Sequence, residues 1–232
     1  MAVFLRSSRY TSAVVRSLVA APLVACFILL AGCDSDVATD FSDDMLHEFE
    51  QNTASLPEGT AEDAYPETLN LVAVNSDPFD FIHARGYVHA PVARVWEAMR
   101  TPEVVIDRRK VASFTITSDV EMGYDVSFRV HNVVHDFITV EFENTWRESS
   151  MEGTVDAPTQ VLCNYKKTWG TSFIDLMEGA ITLTEVTPDV TEFAIVQHLD
   201  ATSADSEEIA TASRDMYASV VAFVHDQPLP TY

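Results

Sequence analysis

Lysine occurs only three times in this 232-residue chain, at Lys110, Lys166 and Lys167, and all lysines and arginines together number 14 against 36 aspartates and glutamates. A formal net charge of −22 repels phosphate backbones, which excludes nucleic acid as a partner, and it creates no field that draws the chain onto anionic lipid headgroups. Cysteine is scarce as well: Cys26, Cys33 and Cys163 cannot build a disulfide framework. Cys163 lies in the apolar, strand-like run Val161–Tyr165 and reads as a small buried hydrophobe. The seven glycines are scattered singly, so no phosphate-cradling loop exists, and no Gly-x-Ser-x-Gly elbow is present. Long apolar runs are missing too. The longest, Leu18–Leu30, is interrupted by Pro22 and falls short of the roughly 20 residues that span a bilayer.

That apolar run has a context. Arg6, Arg9 and Arg16 precede it, no acidic residue occurs before Cys33, and Leu30-Ala31-Gly32-Cys33 closes it directly before Asp34-Ser35-Asp36. A basic flank, a short apolar core and a small-residue exit describe a secretory signal over residues 1–32. The closing tetrad resembles a bacterial lipobox, which implies acylation of Cys33 and a lipid anchor in the cell envelope. Asp34 resembles a retention signal for the inner membrane, and the choice between inner and outer membrane stays open. Acyl chains rather than surface charge then hold the protein at the membrane.

Residues 33–67 read as an acidic, flexible tether. Five aspartates fall between Asp34 and Asp44, and such a stretch has little apolar surface to bury. One amphipathic turn around Met45, Leu46 and Phe49 is the exception. The folded domain is expected over 68–226, with 227–232 as a tail. Leu69–Val74 and Phe81–Val88 read as strands. Val92, Val95, Trp96 and Met99 then recur at helical spacing behind Pro91, which suits a first helical position, and a short turn follows at Pro102–Ile106. Val126, Phe128 and Val130, then Ile138, Val140 and Phe142, alternate with polar residues at period two. A register pairing Phe128 with Phe142 and Val130 with Val140 puts both dry sets on one face. Further strands fit Gln160–Trp169, Phe173–Glu185 (with a possible break at Gly179) and Glu192–Leu199. Asp205 and Glu208 open a closing helix with the apolar stripe Ile209, Ala212, Met216, Val220 and Phe223 or Val224, ended by Pro228 and Pro230.

Strand, short helices, an antiparallel run and one long final helix resemble the START-like helix-grip superfamily of lipid-transfer domains and polyketide cyclases. The segment Ala84-Arg85-Gly86-Tyr87-Val88-His89-Ala90-Pro91-Val92-Ala93-Arg94-Val95-Trp96-Glu97-Ala98-Met99 carries the local likeness. The resemblance implies an α+β fold: a curved antiparallel sheet of about seven strands wrapped around the C-terminal helix, with an apolar cavity between them. Strand alternation nominates Val126, Phe128, Val130, Asn132, Val140, Phe142, Asn144, Trp146, Tyr165, Trp169, Phe193, Ile195 and Gln197 from the sheet, and Met216 and Val220 from the helix. The amides of Asn132, Asn144 and Gln197 need partners if buried, and a few such groups among apolar walls are typical of a ligand site.

Other chemistry is thinly represented. His131 and His135 lack the helical glutamate context of a metalloprotease, and His83 and His89 bracket the first strand as hydrogen-bonded or solvated side chains. Asp175 and Glu178 interrupt an apolar stretch, where burial would raise their pKa values, or else they face solvent. Arg108-Arg109-Lys110 is the one basic cluster, either a solvated loop or a seat for an anionic headgroup at the cavity mouth. No metal, cofactor or catalytic residue is expected. The sequence therefore points to a membrane-anchored binding or carrier module for a lipid, quinone or polyketide-like molecule. A cyclase or aromatase using the same cavity, and a ligand-free envelope interaction protein, are the alternatives.

Overall fold

A computed structural model describes residues 37–42, 45–135, 138–202 and 205–232. The signal segment and Cys33 lie outside the described residues. In chain order the elements are β1 (Val37–Ala38), β2 (Leu69–Val74), β3 (Asp80–Val88), α1 (Val92–Met99), α2 (Pro102–Val105), β4 (Val111–Ser118), β5 (Val126–His135), β6 (Thr139–Thr154), β7 (Ala157–Gly170), β8 (Ile174–Thr187), β9 (Val190–Ala201) and α3 (Ser206–Val224). The strands form one open antiparallel sheet in the order β2-β3-β9-β8-β7-β6-β5-β4, with the two-residue β1 paired to β7.

Eight strands therefore run across the sheet, not seven. The additional one is β4, an edge strand rich in Ser and Thr. Only Val111 and Phe114 in it escape exposure, so it carries no clean alternation to read. The β5–β6 register also differs from expectation. Phe128 pairs with Trp146, Asn132 with Phe142 and Val134 with Val140. Parity is as expected, but β5 runs on through Asn132-Val133-Val134 to His135, which slides the pairing four residues along. Strand β8 passes unbroken through Gly179, because Tyr165 is its cross-strand partner and the phenol ring occupies the space a Cβ would need.

Both principal helices are built from local signals. α1 buries Val92, Val95, Trp96, Ala98 and Met99. Pro91 is its N-cap rather than its first turn, with ψ 149° and no side-chain cap bond. Its missing N–H is harmless at either position. Asp205 accepts from the Glu208 amide at 3.0 Å to start α3, while the Glu208 carboxylate pairs with Lys110 instead of closing a reciprocal box. At the far end Asp226 takes φ 54°. Its amide donates to Phe223 O (3.1 Å) and the Gln227 amide to Ala222 O (2.8 Å), a Schellman stop. Arg94 Nη2 donates to the Asp226 carboxylate at 2.7 Å and to Phe223 O at 3.0 Å, tying α1 to the end of α3.

The helices cover one face of the sheet, the inner face. On the outer face, residues expected to form a flexible tether lie against the sheet instead. His47 N donates to Asn164 Oδ1, and Asn164 Nδ2 donates back to His47 O, both at 3.0 Å. Asn52 Nδ2 donates to the carbonyls of Ala84 and Ile195, and Ala54 is buried. Glu50 holds the segment most firmly. The Thr53 amide donates to His83 Nδ1 at 3.0 Å, so His83 Nε2–H faces Glu50 Oε1, also at 3.0 Å. His198 Nε2 meets both Glu50 oxygens at 3.0 Å and its Nδ1 meets Glu178 Oε1 at 3.3 Å. Composition misled because the segment attaches by polar side chains and backbone rather than by an apolar stripe.

These carboxylates set the charge of His198. Burial alone would lower its pKa, but the hydrogen bonds to Glu178 and Glu50 outweigh burial and raise it. Glu178 is held below its ordinary value, chiefly by its bond to His198, the reverse of the raised value its apolar neighbourhood suggested. Glu50 is desolvated yet also lowered, by His83 and His198. The clasp is therefore strongest between the two ranges. It weakens as pH falls through the depressed carboxylate values, and weakens again as pH rises through the elevated His198 value. Replacing Glu50 with Gln at pH 6 is expected to speed hydrogen exchange of the Thr53 amide by about tenfold or more. Unchanged exchange, measured by mass spectrometry, would contradict this role.

Candidate functional site

Cross-strand register decides which side chains meet on the inner face. Reading across β5, β6, β7, β8 and β9, one row runs Phe128–Trp146–Tyr165–Gly179–Gln197. Its aromatic members stack: Phe128 on Trp146 with centroids 5.6 Å apart and planes within 7°, Trp146 on Tyr165 at 4.5 Å. This row divides the inner face. On one side α1 packs into a solid core with Val161, Cys163, Ile181, Leu183, Phe193 and Ile195. On the other side, beneath α3 between Glu208 and Ser219, lies a cavity of about 590 Å³.

Val130, Asn132 and Val134 of β5, Val140, Phe142, Asn144 and Trp146 of β6, and Tyr165 of β7 line this cavity. Ile174 and Met177 of β8, Gln197, Leu199 and Ala201 of β9, and Ile209, Ala212, Ser213, Met216 and Ser219 of α3 also line it, as do Val105, Ile106, Val111, His135 and Phe173. Ala212 and Met216 are only partly buried despite belonging to the expected stripe of α3, because they face this space rather than packed side chains. The side chains that fill α3's tight contacts are Tyr217, whose hydroxyl donates to Tyr87 O, and Val220.

Nine of the fifteen nominated cavity residues thus meet at one site: Val130, Asn132, Val140, Phe142, Asn144, Trp146, Tyr165, Gln197 and Met216. Six do not. Phe128 lies behind Trp146, and Phe193, Ile195 and Val220 are fully enclosed in the α1-side core. Trp169 is on the opposite face altogether. β6 pairs Asn144 with Lys167 but Glu143 with Trp169, so an extra residue in β7 flips the alternation and stacks Trp169 on His131, 5.8 Å away. Val126, also nominated, is partly buried against the core rather than in the cavity wall.

The three amides are held unequally. Asn132 Nδ2 donates to Val130 O at 3.2 Å. Gln197 Oε1 lies 3.5 Å from Ser213 Oγ. Asn144 Nδ2 meets only the Met177 sulfur at 3.5 Å, and its Oδ1 is buried without a partner among the described residues. At the rim, Asp107, Arg108, Arg109 and Lys110, from the α2–β4 connection, join Glu208, Asp215 and Tyr232. Arg109 bonds Asp107 at 3.0 and 3.1 Å and reaches Asp215 Oδ2 at 2.8 Å. Lys110 pairs with Glu208, and this bond outweighs the lowering effect of burial and leaves its pKa raised. The sequence cluster therefore borders the cavity instead of lying in a solvated loop. Met177 and Leu199 went unrecognised, although once β8 and β9 are paired their parity matches that of Gln197.

Two reactive groups lie outside the cavity. Burial pushes the Cys163 thiol well above its ordinary pKa, and the neighbouring Glu148 adds to this, so it has no nucleophilic character. Glu148 itself is fully buried beneath Trp96, whose Nε1–H donates to its Oε2 at 2.6 Å. Among the described residues no cluster of His, Cys, Asp and Glu suits a metal ion, and no helix is long and apolar enough to cross a membrane.

No protein-family model matches the chain, and no curated protein does. Among solved structures, it is similar to the human StarD13 lipid transfer and protein localization domain, with 11% identity, a TM-score of 0.48, and coverage of 71% of this chain and 87% of that one. Human STARD10 gives 8% identity and a TM-score of 0.48, covering 79% and 86% respectively. The Zhui aromatase/cyclase from Streptomyces sp. R1128 gives 11% identity and a TM-score of 0.41, covering 68% and 92%.

Proposed function

We propose that this chain is a membrane-anchored binding or carrier module that holds a hydrophobic small molecule between its sheet and final helix. One observation carries the reading: the cavity of about 590 Å³, within the roughly 300–1,000 Å³ range of small-molecule sites. Its inner walls are aromatic, branched-aliphatic and methionine side chains with neutral amides, serines and the Tyr165 hydroxyl among them, while His135 and the charged groups of 107–110, Glu208 and Asp215 also border it. Burying an apolar molecule against such walls gains about 25 cal/mol per Å² of apolar surface. No group inside is arranged to make or break a bond, so retention and release are the chemistry that fits.

Met216→Arg provides the test. The side chain is only partly buried and lines the cavity, so the substitution introduces a charge where an apolar ligand would lie. An unpaired charge in such a place costs several kcal/mol. Affinity of the purified protein for the neutral fluorophore N-phenyl-1-naphthylamine is expected to fall at least about hundredfold. Wild-type affinity in the variant, with unfolding unchanged, would place binding elsewhere. The anchor is a separate part of the proposal. Acyl groups on Cys33 are expected in the intact mass of protein extracted from its own host's envelope, and Cys33→Ser is expected to release the protein to the soluble fraction.

A further inference from the structure

Three bases and three acids meet at the cavity rim, and their pairing is uneven. Arg109 has Asp107 and Asp215, and Lys110 has Glu208. Arg108 has no carboxylate within ion-pair distance among the described residues. Its guanidinium is nonetheless fixed in place. Nη1 donates to Pro230 O at 2.7 Å, Nη2 donates to Ser219 Oγ at 2.9 Å, and the Tyr232 ring lies 5.3 Å away. A guanidinium has five N–H donors in a rigid fork, and these two bonds leave three uncommitted. Most other guanidinium groups in the described fold reach a carboxylate, in a chain with 36 acids to 14 bases, so an unpaired one held at a cavity mouth stands out.

Resting on the proposed binding role, we infer that the cavity takes an amphiphile with one anionic group, a carboxylate or a phosphate monoester, seated on Arg108 with its apolar chain directed inward. The inner walls fit only the chain: Phe142, Trp146 and Met216 offer no charge, and Asn144 and Gln197 are neutral. The chain's net negative charge does not oppose this seat. Charges beyond about 8 Å are largely screened at physiological salt, and the rim itself is locally balanced. A planar fork gripping two oxyanion atoms is the strong form of a charge-assisted hydrogen bond. Asp107, Glu208 and Asp215 matter here as partners that occupy Arg109 and Lys110 and leave Arg108 to the ligand.

Competition against N-phenyl-1-naphthylamine on the purified full chain at pH 8 tests the assignment with three probes of equal chain length: palmitate, hexadecyl phosphate and 1-hexadecanol. At least one anion is expected to displace the fluorophore at concentrations about tenfold lower than the alcohol, and the better anion identifies the headgroup. In Arg108→Gln the anion-to-alcohol ratio is expected to collapse towards one, and Arg108→Lys to keep part of it. Equal competition by alcohol and both anions would overturn the inference and leave the cavity reading standing. A ratio that survives in Arg108→Gln would overturn it too, reducing Arg108 to a pin for Pro230. If the fluorophore binds and none of the three probes displaces it, the inference falls alone; if the fluorophore does not bind, the cavity reading falls with it.

Discussion

Replacing Trp96 with Ala is expected to destabilise the fold by about 5 kcal/mol. Trp96 is fully enclosed at the centre of the α1-side core, and truncating a buried Trp costs about 3–5 kcal/mol. A second cost adds to this. The indole N–H donates to one oxygen of the buried Glu148 carboxyl, and the other oxygen has no partner among the described residues. Losing the donor leaves the whole group unsatisfied in an apolar setting, worth about 1–3 kcal/mol more. Domains of this size are stable by about 5–15 kcal/mol, so the variant sits at the margin of folding. Urea denaturation measures the effect. Trp96→Phe, which keeps most of the bulk and deletes the bond, separates the two contributions. A loss below about 2 kcal/mol for Trp96→Ala would mean that α1 is not locked to the sheet through this residue.

The second large effect is a pH dependence. Burial raises the Glu148 pKa to about 7, against the opposing pull of the Trp96 bond and the more distant Arg100 charge. In the unfolded chain the group titrates near 4.5. Between those values the folded protein binds a proton that the unfolded chain has released, so stability falls as pH rises through this window. The loss amounts to about 3 kcal/mol by pH 8. Glu148→Gln, which still accepts from Trp96, lacks the titration. The wild type is expected to match or exceed the variant at pH 5 and to fall behind it by pH 8, when both are followed by chemical denaturation across that range. Parallel curves would show that Glu148 titrates normally. Glu148 faces Cys163 across the β6–β7 ladder, on the side of the aromatic row away from the cavity. The dependence is therefore one of stability rather than of ligand contact.

Side-chain parity was the most legible layer of this chain. Every nominated sheet residue except Trp169 is on the inner face, because period-two alternation reports a face directly and needs no knowledge of neighbours. Trp169 failed because a bulge in β7 adds a residue, and a bulge leaves no mark in the pattern of apolar side chains. Position along the strand was not legible at all. Phe193 and Ile195 have the same parity as Gln197, yet α1 covers the first two and the cavity adjoins the third. Nothing in a strand's own alternation says where a helix stops covering it. The boundary follows instead from the Phe128–Trp146–Tyr165 row, which exists only once three registers are set.

Polar attachment was invisible for a related reason. Residues 45–67 have few apolar residues and read as a spacer, but Asn52, Glu50 and Thr53 bind the sheet through hydrogen bonds whose partners, Ala84, Ile195, His83 and His198, lie far away in sequence. His83 read only as a hydrogen-bonded or solvated side chain, and no pattern in β3 or β9 marks that His83 and His198 share the Glu50 carboxylate on the outer face. Arg108-Arg109-Lys110 illustrates the same limit. The cluster was visible, but its distribution of partners, two bases paired and one not, depends on acids carried by α3.

The central claim is that the cavity holds an apolar molecule, and native mass spectrometry of the protein purified from its own host, with lipid extraction alongside, tests it most directly. A bound species of defined mass is expected, extractable into organic solvent and absent from Met216→Arg protein prepared in the same way. An empty wild-type protein that also fails to take up fluorescent lipids or quinones would contradict the claim, and the space beneath α3 would then be a packing defect rather than a site.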